Sequence, residues 1–130
     1  DFATPKGIFK LGLLYYRKDR IKPLKSKIKK KIIKKNMGWC NDHRSKKYNQ
    51  EVYFPFKHGA EKLYRNDRLY DIFINIKYNH SPIIKKKGSA IFLHLANKKY
   101  KPTKGCIAVS KLDFMKILPL ISKRTKISIV

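Results

Sequence analysis

Residues 69–79 read LYDIFINIKYN, a stretch in which large apolar side chains recur at alternate positions. A two-residue period sends successive side chains to opposite faces, so this stretch predicts a well-formed β-strand. Two further apolar runs follow, SAIFLHLA at 89–96 after a lysine loop containing Gly88, and CIAV at 106–109 after a Pro-containing loop. Three strands so close together in a short chain commit it to being sheet-built.

The rest of the chain is read against that sheet. GIFKLGLLYY at 7–16 predicts a strand or hairpin lying near a sheet edge, with Pro5 stiffening its entry. Residues 18–36 are basic and carry Pro23, which breaks any helix there, so a basic loop or short helix is expected. GWCNDHRSKKYN at 38–49 reads as polar turns around the only Trp, and VYFPF at 52–56 as a short strand stopped by Pro55. HGAEKLYRND at 58–67 reads as a short helix or turn. At 110–118 the period changes: Ser110 with Asp113 forms a capping box ahead of Leu112, Phe114, Met115 and Leu118, predicting a short helix ended by Pro119. KISIV closes the chain as a strand. The sum is mainly β with short helices, a sandwich or open barrel, in one domain spanning 1–130.

Charge dominates the composition, with 33 Lys and Arg against eight Asp and Glu, a formal net charge of +25. Such a field attracts polyanions without choosing among nucleic acid, anionic membrane surface and acidic wall polymer. Lysine here travels with Ile and Asn, as in KSKIKKKIIKKN at 25–36, the mixture that AT-rich codons produce. The charge is therefore weak evidence for nucleic acid, and no RRM, KH or zinc pattern accompanies it. The two cysteines lack CxxC spacing, and a single pair is poor ground for a disulfide scaffold. No apolar run is long enough to span a membrane.

Chemistry concentrates around Cys106. A catalytic cysteine attacks as a thiolate and needs a base or a positive surrounding. His94 is the natural base, Gly105 permits a tight turn, the amides of Gly105 and Cys106 could face an oxyanion, and Lys104 adds positive charge. By spacing alone, a buried thiol and a histidine satisfied by backbone are a commoner explanation of such a pair than a nucleophile and its base.

The wording of the chain is more specific. GSAIFLHLANKKYKPTKGCIAVS resembles the active-site segment of the L,D-transpeptidase (YkuD-like) family, in the short branch reading G-S-A-I-F-x-H-x-A, then P-T-x-G-C-h-A-h. ATPKGIFKLG, WCNDHRSKKYN and HGAEKLYRNDRLYDIFINIKYN are similar to further segments of that branch, in the same order.

The resemblance implies an L,D-transpeptidase-type β-sandwich or open barrel and an enzyme acting on peptidoglycan stem peptides. It also implies that Asp1 is an internal residue of a longer original, with N-terminal strands missing. Cys106 would attack the carbonyl of the diamino acid in a donor tetrapeptide. His94 would be its base, oriented by a backbone carbonyl such as that of Leu95, and the Gly105 and Cys106 amides would form the oxyanion hole. D-Ala would leave, and an amine acceptor would take the acyl group from the thioester. Thr103, Lys104, His58, Asp42 and Trp39 would contact substrate, His58 alternatively making a structural hydrogen bond and Trp39 a pocket wall. Lys104 stands where much of the family has His, and Ala108 where it often has Arg or Asn, which bears on the donor more than on the nucleophile.

Neither metal nor cofactor is expected. The implied location is the bacterial envelope, on the periplasmic or wall side, with a monomeric chain and anionic wall polymers as further candidate partners. The alternatives are a carboxypeptidase or endopeptidase with water as acceptor and, from another class, a basic nucleic-acid-binding module.

Overall fold

A computed structural model describes residues 4–22, 24–96 and 105–130. Pro23 and residues 97–104, Thr103 and Lys104 among them, lie outside the described residues.

Among the described residues nine strands and one short helix follow one another as β1 (Gly7–Tyr16), β2 (Lys30–Ile32), β3 (Met37–Cys40), β4 (Glu51–Tyr53), β5 (Ala60–Lys62), β6 (Ile72–Ile76), β7 (Phe92–Leu95), β8 (Ile107–Val109), α1 (Lys111–Ile117) and β9 (Lys126–Ile129). The main sheet runs β2-β1-β6-β7-β8, with β9 paired to the first half of β1. A second sheet, β4-β3-β5, is antiparallel throughout. The mainly β expectation holds, and the two sheets are consistent with a β-sandwich.

The alternation in β6 explains why the main sheet is buried on both faces. Ile72, Ile74 and Ile76 point to one side, where they pack with Leu14, Leu93, Leu95 and the helix residue Phe114. Phe73 points to the other side, joining Tyr15 and Phe92 under Met37 and Trp39 of the small sheet. Helix α1 is held on the first face by Phe114, and its N-terminus by the Ser110 hydroxyl accepting the Asp113 N–H at 3.1 Å. At Pro119 the helix passes into a single 3-10 turn over Leu118–Leu120.

Four local expectations change. Strand β1 is interior, pairing with β2, β6 and β9, because its apolar residues are covered on both faces. A register shift falls between Leu11 and Leu14, and there Gly12 approaches β6 so closely that a Cβ would lie 3.1 Å from the Asn75 side chain. The basic stretch after β1 supplies β2, paired parallel to β1. The stretch around Trp39 begins as β3, buried along its length, and 60–62 forms β5 rather than a helix. These short segments have little period of their own, and pairing with a partner strand decides their conformation.

Candidate active site

The parallel pairing of β7 with β8 sets the geometry. Leu93 faces Ile107, His94 faces Ala108 and Leu95 faces Val109. Leu93, Leu95, Ile107 and Val109 pack toward the helix side. Side chains alternate, so Phe92, His94, Cys106 and Ala108 belong to the opposite face, where Phe92 and Cys106 join the cluster beneath the small sheet. Residues twelve apart in sequence thus share one face of two adjacent strands.

His94 is 3% exposed, and its Nδ1 lies 2.8 Å from the Leu95 carbonyl oxygen. A carbonyl only accepts, so Nδ1 carries the proton and Nε2 is left with a lone pair. Burial lowers the imidazole's pKa, partly offset by that hydrogen bond. The ring is therefore a neutral base of defined tautomer. Tyr70 fixes its plane, meeting the imidazole edge-on with centroids 5.4 Å apart.

Cys106 is 9% exposed. Its thiol donates to the Ala90 carbonyl at 3.0 Å, and the Phe92 N–H donates to the sulfur at 3.4 Å. Burial pushes the thiol up to about 12; the Phe92 N–H works against this and the nearby Glu61 charge adds to it. Cys106 at rest is thus a neutral thiol. Neither Cys106 nor Cys40 forms a disulfide among the described residues. Gly105, with φ of 81°, occupies the left-handed region that glycine enters without penalty, turning the chain into β8.

Ala90, whose carbonyl meets the thiol, also has a positive φ, 54°. Asn49 holds it there. The Asn49 Oδ1 accepts both the Ala90 N–H at 3.1 Å and the Trp39 indole N–H at 2.9 Å. Its Nδ2 donates to the carbonyls of Tyr78 and Asn79 at 3.1 and 2.7 Å. One side chain thereby ties β3, the end of β6 and the approach to β7 together.

Trp39 packs edge-on against Phe92 at 5.2 Å and belongs to the same buried cluster as Cys106, so it is a wall of this region. Asp42 lies in the turn after β3, where the Arg44 guanidinium and N–H hold its carboxyl well below the usual carboxylate range. His58 sits 3.6 Å from Asp42 through Nδ1. Among the described residues, neither Asp42 nor His58 has a contact that reaches His94 or Cys106. Thr103 and Lys104 lie outside the described residues.

Reasoning from sequence passed over Glu61, Arg65, Asn49 and Ala90. The Tyr70 hydroxyl donates to Glu61, while Arg65 sits 5.2 Å over the Tyr70 ring and pairs with Asp67 at 2.6 Å. A polar chain thus runs from Arg65 through Tyr70 to the edge of His94. The available signal was that 58–71 carries six charged residues and Tyr70 in a segment already matched to the family branch.

The family model for the L,D-transpeptidase catalytic domain matches residues 1–129. The chain belongs to the L,D-transpeptidase catalytic domain family. No curated protein sequence and no solved structure matches it. Membership makes this an enzyme domain of L,D-transpeptidase type, in a family that works on cell-wall peptidoglycan. No helix among the described residues of this catalytic domain is long and apolar enough to cross a membrane.

Proposed function

We propose that this L,D-transpeptidase domain transfers an acyl group from a peptidoglycan tetrapeptide to an amine, with Cys106 as nucleophile and His94 as base. The observation that carries the reading is the tautomer of His94: with Nδ1–H committed to the Leu95 carbonyl, Nε2 is a proton acceptor on the face shared with Cys106. Because thiol and imidazole are both neutral at rest, the proton moves as the substrate arrives. As Sγ bonds to the substrate carbonyl carbon, the thiol proton passes to His94 Nε2. The amides of Gly105 and Cys106 receive the oxyanion. Collapse of the tetrahedral intermediate breaks the C–N bond, and the imidazolium returns its proton to the departing D-Ala amine. In the second half the acceptor amine attacks the thioester, gives a proton to His94, and the sulfur leaves to be reprotonated.

Trp39 and Tyr70 contribute walls that exclude water, and Thr103, Lys104, His58 and Asp42 are assigned to binding the donor peptide. The envelope is the corresponding location. Incubation with disaccharide-tetrapeptide, read by intact mass, tests the proposal. A thioester adduct with loss of D-Ala, absent in Cys106→Ala, is expected. An adduct that persists in Cys106→Ala, or none in the parent protein, defeats it. Cross-linked dimer distinguishes transfer from hydrolysis to tripeptide.

A further inference from the structure

A pocket of about 500 Å³ lies between the start of β1, the residue after β6 and the 79–88 loop. Among the described residues Lys10, Lys77, Lys87 and His80 line it, and no Asp or Glu does. None of the three lysines forms an ion pair among the described residues. Excess positive charge is everywhere on this chain, so charge alone singles out nothing. Concavity and a rigid frame do.

The frame is built without using the ammonium groups. The Lys77 N–H donates to the Lys10 carbonyl at 2.9 Å, fixing the spacing of those two backbones. Asn79, buried and with φ of 51°, accepts the Ile84 N–H at 2.6 Å and donates to the carbonyls of Ile84 and Gly88 at 2.8 and 2.9 Å. The Tyr78 hydroxyl holds the Lys87 carbonyl at 2.8 Å. Three cations therefore surround a concavity whose backbone is fixed, an arrangement that favours a multivalent anion. Ile8 and Ile84, 69% and 51% exposed, give it apolar flanks that suit a carbon skeleton attached to the anion. Among the described residues no aromatic side chain lines it, which disfavours stacking of nucleobases.

We propose that this pocket binds a phosphodiester polyanion with polyol units, a charged polymer of the wall in which the enzyme works. The location of the polymer rests on the proposed function above; the binding itself does not. It would hold the domain against its insoluble substrate through a site separate from Cys106.

The test compares the parent protein with the triple variant Lys10→Gln, Lys77→Gln, Lys87→Gln and with a control that removes the same charge elsewhere, Lys29→Gln, Lys116→Gln, Lys123→Gln. Titration uses polyglycerol phosphate oligomers, oligothymidylate of equal phosphate number, and phosphatidylglycerol vesicles, at several salt concentrations. The pocket triple should weaken polyglycerol phosphate binding about tenfold or more and flatten the log–log salt slope by about 2, at roughly 0.7 per phosphate contact. The control should lose less than about threefold. Equal losses in the two triples overturn the proposal. So does tighter, pocket-dependent binding of oligothymidylate or of vesicles. Acylation of Cys106 by soluble tetrapeptide should be the same in both triples, so failure of the enzymatic reading is seen separately.

Discussion

The Cys106 thiol donates to the carbonyl of Ala90 at 3.0 Å, and Ala90 is itself held in the left-handed region by the Asn49 side chain. The thiol is thus parked on a backbone acceptor whose position is set from the turn between β3 and β4. A neutral, hydrogen-bonded thiol is protected from adventitious chemistry and depends on a base delivered at the right moment.

The reactivity of that thiol should follow. Iodoacetamide should modify Cys106 slowly at neutral pH, with the rate still rising above pH 10, because burial pushes the thiol up to about 12. Glu61→Gln removes a negative charge that adds to this rise, so its profile should move to lower pH. A profile levelling off near pH 8.5, the ordinary cysteine value, would contradict the buried thiol.

Asn49→Ala should be costly. It leaves the Trp39 indole N–H, the Ala90 N–H and two carbonyls without their partner at once, a loss of about 2–4 kcal/mol in urea unfolding. Peptide-dependent acylation should fall further than stability accounts for at a temperature where the variant is folded. Unchanged acylation in a folded Asn49→Ala protein would remove Asn49 from the positioning of the thiol.

At Ala90 the ranking of substitutions inverts the usual one. Ala90→Gly should be close to neutral, within about 1 kcal/mol, since relief at positive φ offsets the lost methyl packing. Ala90→Val should cost about 2 kcal/mol or more, because a β-branched residue is strained at φ of 54° and the site is filled. Denaturant midpoints for the pair check this directly.

His94 makes stability depend on pH. Its pKa is lowered in the fold, mainly by burial, so the unfolded chain binds the proton first as pH falls. More protons on the unfolded state means that stability rises with pH, and this contribution is lost on acidification below about 6.5. The urea midpoint should drop between pH 7.5 and 5.5. His94→Asn, whose amide can still donate to the Leu95 carbonyl, should show a smaller drop; an equal drop would assign the titration to other groups.

The sequence by itself determined whatever is written in local periodicity and local wording. The alternation in 69–79 made β6, the apolar runs at 89–96 and 106–109 made β7 and β8, and Ser110 with Asp113 started α1. The family was legible in the same way, since its signature lies in contiguous runs around His94 and Cys106. Tertiary structure decided the interior place of β1, the strand character of 37–40 and 60–62, and the partners of the thiol. Asn49 and Ala90 are forty-one residues apart, and Cys106 and Ala90 sixteen. Contacts of that range depend on register between strands, which no local pattern encodes; a shift of one residue in β7 would turn His94 to the helix face, away from Cys106, and leave the small sheet over Leu93 and Leu95 instead.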